Sequence, residues 1–195
     1  MNPRIQTEEA LSAEIELPIG NAITADAATI SETEPLLKAV VVKTLMTQGL
    51  TLFTAESCTG GLAAKEITDV PGASAVLKGG VVSYTNEIKT GLLGVSPETI
   101  ARYTEVSAAC AAEMAEGARR LSGADLGIAS TGYAEGGAGV PEGMAGVVFV
   151  ALSHKNGTEV EHLTLTGDRD QVRQLAVKHL FTMILNHCQP QGGNA

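Results

Sequence analysis

The sequence predicts a single three-layer α/β/α domain built around a mixed central sheet. Three observations carry that expectation. Short apolar runs alternate with segments of helical period through the first two thirds of the chain, which is the pattern of strands separated by crossover helices. Near residue 156 the order changes, because two β-like runs meet at Asn156-Gly157, a strong hairpin signal. The chain has 195 residues, 44% of them hydrophobic and 18% charged, enough for one substantial core and ordinary for a globular protein.

Taken in order, residues 1–32 show no sustained period and mix Glu with Pro18 and Gly20, which reads as a flexible acidic extension. A helix capped by Glu32 or Thr33 follows, with Leu36, Leu37, Val40, Val41 and Leu45 at helical spacing and Gly49 at its end. Leu50–Phe53 reads as a strand, Leu62–Ile67 as a helix, and Pro71-Gly72 as a break. A short helix is expected over Ala73–Lys78, punctuated by Gly79-Gly80, and then a buried strand over Val81–Tyr84. Asn86–Leu93 and Pro97–Arg102 return to helical spacing. Ser107 caps an Ala-rich helix, Ala108–Leu121. Leu126–Ser130 is a strand that runs into a long glycine-rich loop, 133–146, a candidate binding loop. Gly146–Ser153 and Glu159–Thr166 form the hairpin, and Asp168 with Gln171 makes a capping box for a last helix from Asp170 to about Asn186. The tail, 189–195, is expected to be flexible.

Composition excludes several functions. Arg4 stands alone against seven acidic residues in 1–34, so that segment holds −6 of the net charge of −9. No basic stripe remains for duplex binding, and aromatics at 3% leave few platforms for stacked bases. No apolar run approaches the roughly 18 residues of a membrane helix, and the start lacks a signal-peptide order, so a cytoplasmic location is expected. Cys58, Cys110 and Cys188 are far apart and odd in number, which argues against a disulfide framework or a structural zinc site. His179 and His187 share the last helix at two turns' separation and read as solvated positions, with no metal site.

The chemistry concentrates in Thr54–Gly61, where a strand ends in Ser57, Cys58, Thr59, Gly60 and Gly61 and a helix opens. Unpaired N–H groups at such a turn form an anion site, and Ser57 stands beside it as a candidate nucleophile. The plain alternative is that Ser57 or Thr59 caps the helix and the glycines permit a tight turn. Cys58 as nucleophile and Glu56 as base are rivals. No histidine lies near the early strands, so the available base is Lys89, one turn into the helix after Tyr84. A lysine serves only if burial lowers its pKa from about 10.4; otherwise Lys89 is a surface lysine and Tyr84 a packed aromatic. Thr131 ends a strand where it can meet an oxyanion, or is a turn residue. Arg169 can grip a phosphate at the mouth of the last helix, or pair with Asp168 or Asp170.

Ala55-Glu56-Ser57-Cys58-Thr59-Gly60-Gly61 resembles the signature of the CinA carboxy-terminal family, the nicotinamide-nucleotide amidohydrolases. Pro71–Ser74, Gly79–Glu87 with Lys89, Leu93-Gly94-Val95, Val106-Ser107, Thr131-Gly132 and Gly167-Asp168-Arg169 continue the resemblance in order, over residues 33–188. It implies hydrolysis of nicotinamide mononucleotide to nicotinate mononucleotide and ammonia, without metal or cofactor, by a homodimer or larger homo-oligomer. On that pattern Ser57 is the nucleophile, Lys89 its base and Tyr84 an assistant. Thr59, Gly60, Gly61, Ser74, Thr131, Gly132 and Arg169 bind substrate. Residues 133–147 depart from the family pattern: Tyr133 and Glu135 replace small residues, and a lysine and a threonine are missing. That departure admits an alternative, a nucleotide-binding or regulatory module with little or no activity.

Overall fold

The computed structural model describes residues 23–25 and 34–189. The elements run β1 (Ile23–Ala25), α1 (Glu34–Gln48), β2 (Leu52–Glu56), α2 (Leu62–Thr68), β3 (Leu77–Val82), α3 (Asn86–Gly91), α4 (Pro97–Tyr103), α5 (Ala108–Ser122), β4 (Leu126–Gly132), β5 (Val147–His154), β6 (Gly157–Leu165) and α6 (Arg169–Cys188). The sheet order is β1-β6-β5-β4-β2-β3. Every neighbouring pair is parallel except the two that involve β5. The mixed sheet of the expected α/β/α sandwich is therefore present. The carboxyl ends of β2, β3, β4 and β6 share one edge, where such sheets bind ligands.

Alternation along the strands divides the core into two halves. Toward α1, α2 and α6 the strands present Leu52, Ile128, Val150, Leu152 and Leu163, which meet Val41, Leu45, Ile67, Leu175, Leu180 and Ile184. Toward α5 they present Ala55, Ala129 and Ala151, against Cys110, Ala111, Met114 and Ala115. Small residues on both sides let α5 lie unusually close to the sheet. A Cβ on Gly127 would stand 2.2 Å from the Ala115 carbonyl oxygen.

The caps form as expected. Ser107 Oγ accepts from the Cys110 amide, and Asp168 accepts from the amides of Asp170 and Gln171 while Gln171 Oε1 accepts from the Asp168 amide. The region around β3 departs from expectation. Ala73–Ala75 is a single 3-10 turn, and β3 starts at Leu77 and contains Gly79-Gly80. The expected buried strand is an edge strand, with Val82 51% and Tyr84 60% exposed. The two glycines are there because side chains of β2 cross over them. A Cβ on Gly79 would lie 3.1 Å from the Phe53 ring, and one on Gly80 2.2 Å from Thr54 Oγ1.

Ile23–Ala25 lies inside the segment expected as a loose extension, yet pairs with Leu163–Leu165. It occupies hydrogen-bonding groups that the edge of β6 would otherwise leave open. The rest of that segment, 1–22 and 26–33, and the tail 190–195 lie outside the described residues. No helix among the described residues is long and apolar enough to cross a membrane.

Gly80→Ala is expected to destabilise the fold by about 1–3 kcal/mol through overpacking. Thr54→Ala in the same chain should restore most of the loss. Urea denaturation of the single and double variants checks this coupling, and additive effects would refute it.

Candidate active site

The site begins where β2 stops. The Ser57 amide donates to the Ser130 carbonyl at 2.9 Å, and the Ser83 amide donates to the Glu56 carbonyl at 2.8 Å, so the ends of three strands are tied together. The chain then turns through Gly60 (φ 61°) and Gly61 (φ 96°) into α2, a succession that L side chains rarely adopt. The Gly60 amide donates back to the Ser57 carbonyl at 3.1 Å.

Glu56 fills the place expected for an external anion. Its buried carboxylate accepts from the Thr59 hydroxyl (2.8 Å) and from the amides of Gly61 (2.9 Å), Ala63 (3.0 Å) and Ala64 (2.9 Å). The helix N-terminus is thus satisfied from within. Thr59, fully buried, also shares a 2.6 Å hydrogen bond with Ser130 Oγ. Thr59, Gly60 and Gly61, expected to bind substrate, therefore hold the turn in shape. The same bonds remove Glu56 as a candidate base. Arg173, which sequence reasoning did not single out, seals the turn by donating to the Thr59 carbonyl at 3.2 and 2.8 Å. Its position one helical turn beyond Arg169 was the available signal.

Lys89 is the largest fully buried side chain of its kind here, at 1% exposure. Its Nζ stands 3.1 Å from Ser57 Oγ and donates to the Ser83 carbonyl at 2.8 Å. No carboxylate comes within ion-pair distance of it among the described residues. Burial lowers its pKa from the ordinary 10.5, and nearby Cys110, Glu105 and Cys58 oppose that shift. With one N–H fixed on a carbonyl, the neutral amine can aim its lone pair at the serine hydroxyl. Cys58 is the weaker nucleophile, because burial pushes its thiol up to about 11.

Ser57, Cys58, Tyr84, Lys89, Thr131 and Arg169 line one cleft of about 230 Å³. Gly132 also lines it, and a Cβ there would meet the Val147 carbonyl at 2.6 Å. Thr131 is buried and donates its hydroxyl proton to the Glu105 carbonyl at 2.7 Å, so that proton is already committed. Among the described residues Tyr84 makes no hydrogen bond to Lys89. Its hydroxyl accepts from Arg169 Nη2 at 3.2 Å, while Arg169 Nη1 pairs with Glu135 at 3.0 Å. The arginine's acidic partner comes from the glycine-rich loop, and neither Asp168 nor Asp170 supplies it. Ser74 is not part of this cleft. It is exposed on the 3-10 turn before β3, at the amino ends of the strands, roughly 15–20 Å away by strand length.

The chain matches the family described as CinA C-terminal domain over residues 34–188. A protein of Acetivibrio thermocellus named as competence-damage inducible is 44% identical over 186 residues, covering 94% of this chain and 45% of that protein. A CinA-like protein of Myxococcus xanthus is 47% identical over 150 residues, covering 76% of this chain and 36% of that protein. The chain therefore spans less than half the length of the curated relatives it matches. The crystal structure of a competence/damage inducible protein from Agrobacterium tumefaciens is similar at a TM-score of 0.78 and 34% identity, over 82% of this chain and 98% of that one. A CinA superfamily protein from Klebsiella pneumoniae is similar at 0.76 and 35%, over 80% and 98%.

Glu56→Ala strands four donors, two of them buried and two part-buried, and is expected to destabilise the fold by roughly 3 kcal/mol. Glu56→Gln keeps one acceptor oxygen and should cost less. Urea midpoints of the two variants test the ranking, and an unchanged midpoint for Glu56→Ala would contradict the capping role.

Proposed function

Since the chain belongs to the CinA C-terminal domain family, we propose that it hydrolyses the carboxamide of nicotinamide mononucleotide, giving nicotinate mononucleotide and ammonia. The observation that carries this reading is the Ser57–Lys89 pair: a buried lysine with no carboxylate partner among the described residues, 3.1 Å from a strand-end hydroxyl. Neutral Lys89 takes the Ser57 proton as Oγ attacks the carboxamide carbon. The resulting oxyanion meets the backbone amide that follows the nucleophile, that of Cys58. Lys89 returns the proton to the amide nitrogen, the C–N bond breaks and ammonia leaves, with the nicotinoyl group on Ser57. Water, deprotonated by Lys89, then attacks that ester, the bond from the acyl carbon to Oγ breaks, and Lys89 passes the proton to Ser57 Oγ as the nicotinate product leaves. Arg169, with Tyr84 on its second nitrogen, grips the 5′-phosphate once Glu135 lets go.

The Glu135–Arg169 ion pair favours a second reading. The guanidinium expected for the phosphate is already matched by the chain's own carboxylate, as in a nucleotide-binding module that turns over slowly or not at all. Calorimetric binding of the nucleotide without ammonia release, across a broad pH range, would select that reading.

Ammonia release from nicotinamide mononucleotide should fall by at least about 10³-fold in Ser57→Ala and in Lys89→Met. Equal release by the variants and the parent chain would end the mechanism. The lysine must be neutral, so activity should rise with pH along a limb whose midpoint lies below 10.5, the direction its burial sets. In the fold the sign is opposite to a bonus. Burying Lys89 costs stability fully below its folded pKa, and the cost fades as pH climbs toward 10.5. Lys89→Met should therefore lose activity without losing thermal stability. Glu135→Gln should lower KM severalfold with little change in kcat, because the phosphate no longer competes with a carboxylate.

A further inference from the structure

The pole opposite the cleft, at the amino ends of the parallel strands, carries a second group of chemically capable side chains. His154 ends β5, Glu159 follows the hairpin turn on β6, and His187 sits in the last turn of α6. Their candidate donor atoms all lie within 4.8 Å of one another. His154 Nε2 is 3.3 Å from Glu159 Oε1, and His187 Nδ1 is 3.9 Å from that same oxygen. The two imidazole rings face each other with centroids 4.3 Å apart at 40°. In a tetrahedral zinc site, bonds of about 2.0–2.2 Å put neighbouring donors roughly 3.4 Å apart. The two histidine-to-glutamate separations lie within about half an ångström of that, and the third, between the two imidazole nitrogens, is at most 4.8 Å and shortens by rotation of the rings as the ion binds.

We infer that His154, Glu159 and His187 form a binding site for a divalent transition-metal ion of the zinc type. Two imidazoles and a carboxylate suit zinc and its neighbours, and disfavour magnesium and calcium, which take oxygen ligands. Such a set supplies three ligands and leaves a fourth position open. His154 and His187 also line an open cleft of about 870 Å³, which gives the ion an entry path and its fourth position room for water. As the side chains stand, His154 Nδ1 accepts from the Asn156 amide at 3.3 Å. With the ion on Nε2 the ring proton moves to Nδ1. That long contact is given up at an exposed turn, where water replaces it. The ion would link the hairpin to the carboxyl end of α6. Sequence reading had treated His187 as a solvated position because its partners come from two other elements. The site is independent of the reaction assigned to Ser57 and Lys89.

The test is calorimetric titration of the full chain with ZnCl2 in a non-chelating buffer. One equivalent should bind. His154→Ala, His187→Ala and Glu159→Gln should each weaken binding at least tenfold while circular dichroism shows them folded. His179→Ala, whose ring pairs with Glu161 elsewhere, should bind as the parent does, and so should Cys188→Ser, which removes the buried thiol beside His187. CoCl2 should give visible bands of tetrahedral intensity in the parent and lose them in the three variants. MgCl2 should give no binding. Absence of saturable zinc binding, binding insensitive to all three substitutions, or binding lost with His179→Ala or Cys188→Ser would overturn the site.

Discussion

The arrangement depends on the buried carboxylate of Glu56. Four donors converge on it, three of them amides of the turn and first residues of α2 and the fourth a threonine hydroxyl. This one cap converts the end of β2 into a rigid turn, and the turn is what holds Ser57 outward. Beyond the turn the fold buries a lysine and, among the described residues, gives it only a carbonyl and a hydroxyl to bond. The acid and the base are thus kept apart by assigning the acid to backbone amides. Had Glu56 reached Lys89 instead, the ammonium would have been stabilised and the base lost.

Sheet topology explains why two chemically distinct poles exist. One antiparallel strand, β5, carries the chain from the cleft edge to the opposite edge and turns at Asn156. The named residues that line the cleft stand at the carboxyl ends of parallel strands: Ser57 after β2, Tyr84 and Lys89 after β3, Thr131 on β4, Arg169 after β6. The end of β5 and of α6 fall at the other pole and bring the histidines together.

Much of this was legible in the sequence for local reasons. Helix caps at Ser107 and Asp168 and the Asn-Gly hairpin depend on neighbours in the chain, so α5, α6 and the β5–β6 pair were readable. Ser57, Lys89, Thr131, Gly132, Tyr84 and Arg169 do share one cleft. What misled was tertiary. Gly79-Gly80 looks like punctuation until Phe53 and Thr54 are laid across it. The donors of Thr59–Gly61 look available until Glu56 folds back on them, and Ser74 looks close until strand direction sends it to the far edge. Ser83 and Glu105 contribute carbonyl oxygens, which leave no mark on the identity of a residue.

The clasp of Arg169 between Tyr84 and Glu135 has a kinetic consequence. An anion arriving at this mouth exchanges with a resident carboxylate and does not add to a bare guanidinium. The chain's net negative charge offers no long-range attraction to speed the encounter. Both side chains of the Glu135–Arg169 pair are about half exposed, so the resident contact is a weak one, worth about 0–1 kcal/mol, and opens readily. The residue at position 135 thus sets the charge of the arginine's surroundings without touching the Ser57–Lys89 pair.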